Sequence, residues 1–104
     1  MDPIPAIAER SLRKSRTRRR ALLMLNSVGE AYLGLLSHML GVEPKRVRGV
    51  LLGDLPHYAP DLALVTIGLV SAHDTPRGRL FRITKDGRRK ARSVAKRAAK
   101  ARGG

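Results

Sequence analysis

Lys45, Arg46 and Arg48 follow directly on a tight corner, Gly41-Val42-Glu43-Pro44. Cations on one side of a short helix are the pattern that can read duplex DNA. A helix fits the major groove, where Arg and Lys reach guanine O6 and N7. Gly49 falls on that same side of the turn pattern. A second cluster, Arg77, Arg79 and Arg82, lies around a turn further along. Arg16, Arg18, Arg19 and Arg20 make a third cluster, and Lys85, Arg88 and Arg89 a fourth. Guanidinium and ammonium groups of that density are the residues that contact phosphate, which supplies affinity and register rather than sequence choice.

Other chemistries find little support. The chain has no cysteine, so disulfides, thiolate nucleophiles and cysteine-ligated zinc are excluded. The histidines, His38, His57 and His73, include no i, i+4 pair and no histidine–glutamate pattern. His57, Asp61, His73 and Asp74 are better explained as turn and surface residues than as a metal site. Ser11, Ser15, Ser27, Ser37 and Ser71 lack the flanking glycines of a nucleophile elbow, and neither a P-loop nor a dinucleotide fingerprint occurs. The expectation is a protein that is not an enzyme and needs no cofactor, metal or small-molecule effector. Of the three aromatics, Tyr32 and Phe81 suit a core, which leaves Tyr58 as a stacking platform. Single-strand binders rely on several stacked aromatics, so this scarcity favours duplex DNA.

The elements that must hold these residues are legible in part. With 104 residues the chain has the size of one ordinary domain, and 42% hydrophobic residues is not a disordered composition. The net charge of +14 is segregated: residues 1–20 carry +5, residues 21–75 carry −2, and residues 76–104 carry +11. Two basic ends around a nearly neutral middle point to a polyanion. Arginine outnumbers lysine 16 to 6, and one asparagine with no glutamine is compatible with a hot-growing source. No apolar run approaches the ~20 residues that span a bilayer. The start, MDPIPAIAER, lacks a basic-then-apolar signal, so a cytoplasmic, nucleoid-associated protein is expected.

Pro3 and Pro5 predict an arm at the start, and residues 6–14 carry no strong helix signal. Residues 15–28 form a helical pattern with Ala21, Leu22, Leu25 and Val28 on one side and Arg16, Arg19 and Arg20 opposite. Gly29 ends it. Residues 30–40 predict a second helix, with Tyr32, Leu33, Leu35, Leu36, Met39 and Leu40 in one arc and Gly41 as its cap. Pro44 opens a third helix to Gly53, whose Val47, Val50 and Leu51 share a face. Residues 55–60 read as a loop, and Asp61 is placed to cap a short helix over 62–67. Residues 69–83 predict a β-hairpin turning at 74–78, and Thr84 caps a last helix striped by Ala91, Val94, Ala95, Ala98 and Ala101.

The join between the second and third helices suits a helix-turn-helix, which needs a three-to-four-residue turn that often contains glycine. With the hairpin behind it, the chain resembles the small archaeal winged helix-turn-helix transcription regulators. The resemblance rests on Val47-Arg48-Gly49-Val50-Leu51-Leu52-Gly53, on Leu64-Val65-Thr66-Ile67-Gly68-Leu69-Val70, and on Leu80-Phe81-Arg82-Ile83-Thr84-Lys85-Asp86-Gly87-Arg88. It covers about residues 15–92. Gly53–Pro60 departs from the pattern by separating the third helix from the hairpin. The resemblance implies a mainly α fold with a small β-hairpin: a basic N-terminal arm at 1–14, a winged helix-turn-helix domain at 15–86, and a basic C-terminal helix and tail at 87–104. It implies helix 44–53 in the major groove and hairpin 69–83 as the wing.

The expected function is therefore double-stranded DNA binding by a sequence-specific transcription regulator. A homodimer through the terminal helices is expected, from Ile4, Ile7 and Leu12 at one end and the Val94–alanine stripe at the other. The alternatives are a non-specific chromatin-like protein, favoured by the AKRAAKAR run near the end, a ribosome-associated RNA-binding protein, and a protein-interaction module.

Overall fold

The computed structural model describes residues 4–54 and 59–103, with the side chains of residues 4, 5 and 98–103 left aside. The order is α1 (Ile4–Lys14), α2 (Arg16–Val28), β1 (Glu30–Tyr32), α3 (Leu33–Leu40), α4 (Pro44–Leu52), a 3-10 turn at Pro60–Leu62, β2 (Val70–Thr75), β3 (Gly78–Ile83) and α5 (Lys85–Gly103). The fold is mainly helical, with one antiparallel three-stranded sheet in the order β1-β3-β2. No described helix is long and apolar enough to cross a membrane.

Residues 4–14 are a helix rather than an arm, because its apolar side has a place to go. Ala8 and Leu12 are buried in the core, and the buried Ser11 hydroxyl donates to the Leu62 carbonyl. Helix α2 starts as expected: the Ser15 hydroxyl accepts the Arg18 backbone N–H at 3.1 Å. Its Ala21, Leu22 and Leu25 are fully buried, whereas Val28 is exposed at the helix end.

The largest departure from the helical pattern is at residues 30–32. Gly29, at φ 87°, turns the chain out of α2, and Glu30-Ala31-Tyr32 pairs with β3 as an edge strand. Ala31 sits opposite Phe81 and is buried, and the Tyr32 hydroxyl lies 3.2 Å from Thr75 Oγ1. Apolar spacing cannot reveal a strand whose partner is fifty residues away. The remaining α3 is short and buries Leu36 and Leu40, while Leu35 is half exposed.

Gly41 closes α3 in the left-handed region, and the Val42 N–H reaches back to the Ser37 carbonyl. This is a Schellman-type end. It delivers Pro44 to the first turn of α4. Val47, Val50 and Leu51 of α4 are buried. The expected helix at 62–67 is a 3-10 turn followed by turns to Gly68. Its amides are used elsewhere: Leu64 and Val65 donate to the Val50 and Leu51 carbonyls, closing the end of α4.

The hairpin turns on only Pro76 and Arg77, tighter than expected, with Thr75 Oγ1 donating to the Gly78 carbonyl at 2.7 Å. Phe81 and Ile83 face the core. Thr84 caps α5, its hydroxyl accepting the Gly87 N–H at 3.0 Å. Gly87 is buried against the Leu69 carbonyl, where a Cβ has no room. Of the expected apolar stripe on α5, Ala91 is buried in the core, Val94 packs against it and Ala95 is exposed. Leu12 and Ala91 are thus consumed within one chain instead of remaining for a second copy.

Candidate nucleic-acid interface

Helix α4 projects its cations away from the core. Lys45, Arg46 and Arg48 are exposed, and among the described residues they carry no ion pair. Gly49 does not belong with them. It is buried, and its carbonyl already accepts the Gly53 N–H at 2.8 Å, so it has no side chain and little surface to present.

The hairpin comes alongside. A groove of about 570 Å³ has Arg48 and Leu52 of α4 on one side and Thr75, Arg77 and Arg79 of the hairpin on the other, with Tyr32 and Phe81 also lining it. Residues from the two sequence clusters therefore share one concave surface. Within it the charges are not equivalent. Arg77 is exposed and without an ion pair among the described residues, whereas Arg79 Nε lies 3.1 Å from Asp74, which also lines the groove. Arg82 lies outside the groove lining and pairs across the sheet with Glu30 at 2.9 Å. Both pairs are solvent-exposed, so each holds its arginine only weakly. Lys85, Arg88 and Arg89 lie exposed on the first turns of α5, and Arg89 is paired with Asp86.

The arginines at the start of α2 have other partners. Arg18 is only 6% exposed, and its guanidinium donates to the Ser11 carbonyl at 3.1 Å. Burial pushes its pKa down, opposed by the charge of Asp61. Its Nε has no hydrogen-bond partner among the described residues. Arg19 donates to the Leu12 carbonyl at 2.6 Å, and Arg20 to the Leu40 carbonyl at 2.7 Å. Ser11 and Leu12 are in the last turn of α1, and Leu40 ends α3. Three of the four side chains thus cap the carbonyl ends of neighbouring helices, where a cation also meets the negative end of the helix dipole. Reading Arg18 as a phosphate contact is corrected by its burial. Arg16 is exposed and unpaired among the described residues, but it lines a different cleft from Arg48.

His73 is exposed on β2, with Nε2 2.9 Å from the Ser71 hydroxyl, and His38 is exposed on α3. Among the described residues no group of three histidine, aspartate or glutamate side chains is placed to hold a metal ion. His57 and Tyr58 lie outside the described residues. The capping function of Arg18–Arg20 was missed because a basic run looks the same whether it meets carbonyls or water. The one local signal was position, four arginines at a helix start.

Residues 8–94 match the family model described as EarA-like. No curated protein matches the chain.

Proposed function

The chain belongs to the EarA-like family, and for this member of it we propose sequence-specific binding of double-stranded DNA in the regulation of transcription. The architecture it would use is a winged helix-turn-helix, with α3 and α4 as the crossed helices, α4 in the major groove and the β2–β3 hairpin as the wing. The observation that carries this reading is the common groove of Arg48, Arg77 and Arg79, flanked by Lys45 and Arg46, unpaired among the described residues, on the outer side of α4. A helix presents base-reading cations there, and a hairpin supplies phosphate contacts beside it. Exposed Lys85, Arg88 and Arg89 add basic side chains on the first turns of α5, outside the groove lining.

A second reading, non-specific packaging of duplex DNA, is favoured by α5 itself. That helix runs unbroken from Lys85 to Gly103 with Arg92 and Lys96 exposed beyond the first turns. Selection of bound duplexes from a random pool separates the two. A regulator enriches one site, with an affinity ratio over random duplex of roughly a thousandfold or more. Recovery of the unselected pool without enrichment would leave the packaging reading in place of the regulator.

A further inference from the structure

Helices α1, α2 and α5 meet around a cleft of about 490 Å³ that shares no lining residue with the α4–hairpin groove. Its apolar lining is Leu12, Leu23 and Val94, and its walls carry Arg13, Arg16, Arg19, Arg20 and Arg97. Among the described residues the one acid lining it is Glu9. That carboxylate is already shared: Arg97 lies 2.7 Å from it, Arg13 3.6 Å, and Lys90 contacts its other oxygen. Arg19 and Arg20 bond neutral carbonyls, which leaves their charge in place and several N–H donors free. The cleft is therefore strongly cationic, with a single carboxylate set against five arginines among its described lining residues.

A solvated basic surface needs no partner, but this one is concave and has an apolar lining. Its volume falls within the roughly 300–1,000 Å³ of small-molecule sites. A DNA backbone offers nothing to Leu12, Leu23 and Val94. A second copy of this chain, at +14, would meet the five arginines with like charge. We propose that the cleft binds a small amphipathic anion, a carboxylate or phosphate monoester joined to a hydrocarbon body. The head group lies among the arginines, whose planar forks suit either anion, and the body lies against the partly exposed Leu23 and Val94, above the buried Leu12. This inference is independent of the DNA reading.

The test is calorimetric titration of the whole chain with sodium octanoate and with octyl phosphate, against 1-octanol and inorganic phosphate as controls. At least one amphipathic anion should saturate a single site, about tenfold or more tighter than either control, because each control lacks one half of the recognition. Whichever anion binds tighter identifies the head group. Arg16→Ala and Arg13→Ala should each weaken it severalfold, and Arg48→Ala should not. Arg13 is 80% exposed, so its removal leaves the core untouched, and melting curves verify both folds. Binding no tighter than the controls, binding indifferent to both variants, or an equal loss in Arg48→Ala would each overturn the proposal. So would an Arg16→Ala protein whose DNA affinity falls as far as that of Arg48→Ala, since the cleft would then belong to the DNA surface.

Discussion

Helices α2 and α4 both open with a cluster of arginine or lysine, and the two clusters meet opposite environments. At α2, Arg18, Arg19 and Arg20 reach the ends of α1 and α3 and donate to the Ser11, Leu12 and Leu40 carbonyls. At α4, Lys45, Arg46 and Arg48 face outward, and Arg48 shares a groove with Arg77. The difference is what lies beside each helix start. α2 is flanked by two helix C-termini whose last carbonyls need donors. α4 begins at a corner, packs its apolar face against α2 and α3, and turns its cations outward beside the hairpin groove. One set of cations thereby ties helix ends together, and the other is turned outward, with Arg48 on the groove it shares with the hairpin.

The largest effect expected from this contrast is on salt dependence. If the available cations neutralise about 6–10 phosphates, duplex affinity falls roughly a thousandfold or more between 50 and 200 mM salt. A flat titration by fluorescence anisotropy would end the polyanion reading.

The two helices are then exchanged as targets. Arg48→Ala should cost about 1–3 kcal/mol on the selected duplex and much less on random DNA, with an unchanged melting temperature. Arg18→Ala should do the reverse. It should lower folding stability by about 2 kcal/mol, through the lost hydrogen bond to Ser11 and the packing of a buried side chain, and leave the affinity of the folded protein alone. Equal behaviour of the two variants would abolish the distinction. Arg77→Ala should sharpen it within the groove: affinity falls alike on both DNAs, and the salt slope drops by about one unit.

The smallest effect concerns the other capped region. Hydrogen bonds from Arg97 and then Lys90 hold the Glu9 carboxyl at about 2, below its ordinary 4.5, against the opposing effect of burial. A carboxyl lowered in the folded state contributes stability that is complete above its ordinary value and is lost as pH falls toward 2. Glu9→Gln should therefore melt a few degrees below the parent chain at neutral pH, and the gap should close between about 4.5 and 2. A gap independent of pH in thermal scans would show that the ion pairs with α5 are not its source.

Much of the path to the candidate site was legible because it is local. The α2 pattern, the Gly41 corner, Pro44 at the start of α4, the buried face of Val47, Val50 and Leu51, and the alternation of β3 all depend on neighbours within a turn or a pleat. The outward direction of Lys45, Arg46 and Arg48 follows from that same periodicity. Composition alone also set the net charge and excluded cysteine chemistry.

Tertiary structure decided what local pattern could not contain. Glu30-Ala31-Tyr32 has only three residues, and its conformation is set by the open edge of β3 rather than by its own spacing. Leu64 and Val65 give their amides to α4 instead of to a helix of their own. Residues 4–14 become helical because Ala8 and Leu12 find a core to fill. A basic side chain carries no mark of its eventual partner. Arg18 and Arg48 differ in whether a carbonyl end or open groove lies within reach, and only the packing of the helices fixes that.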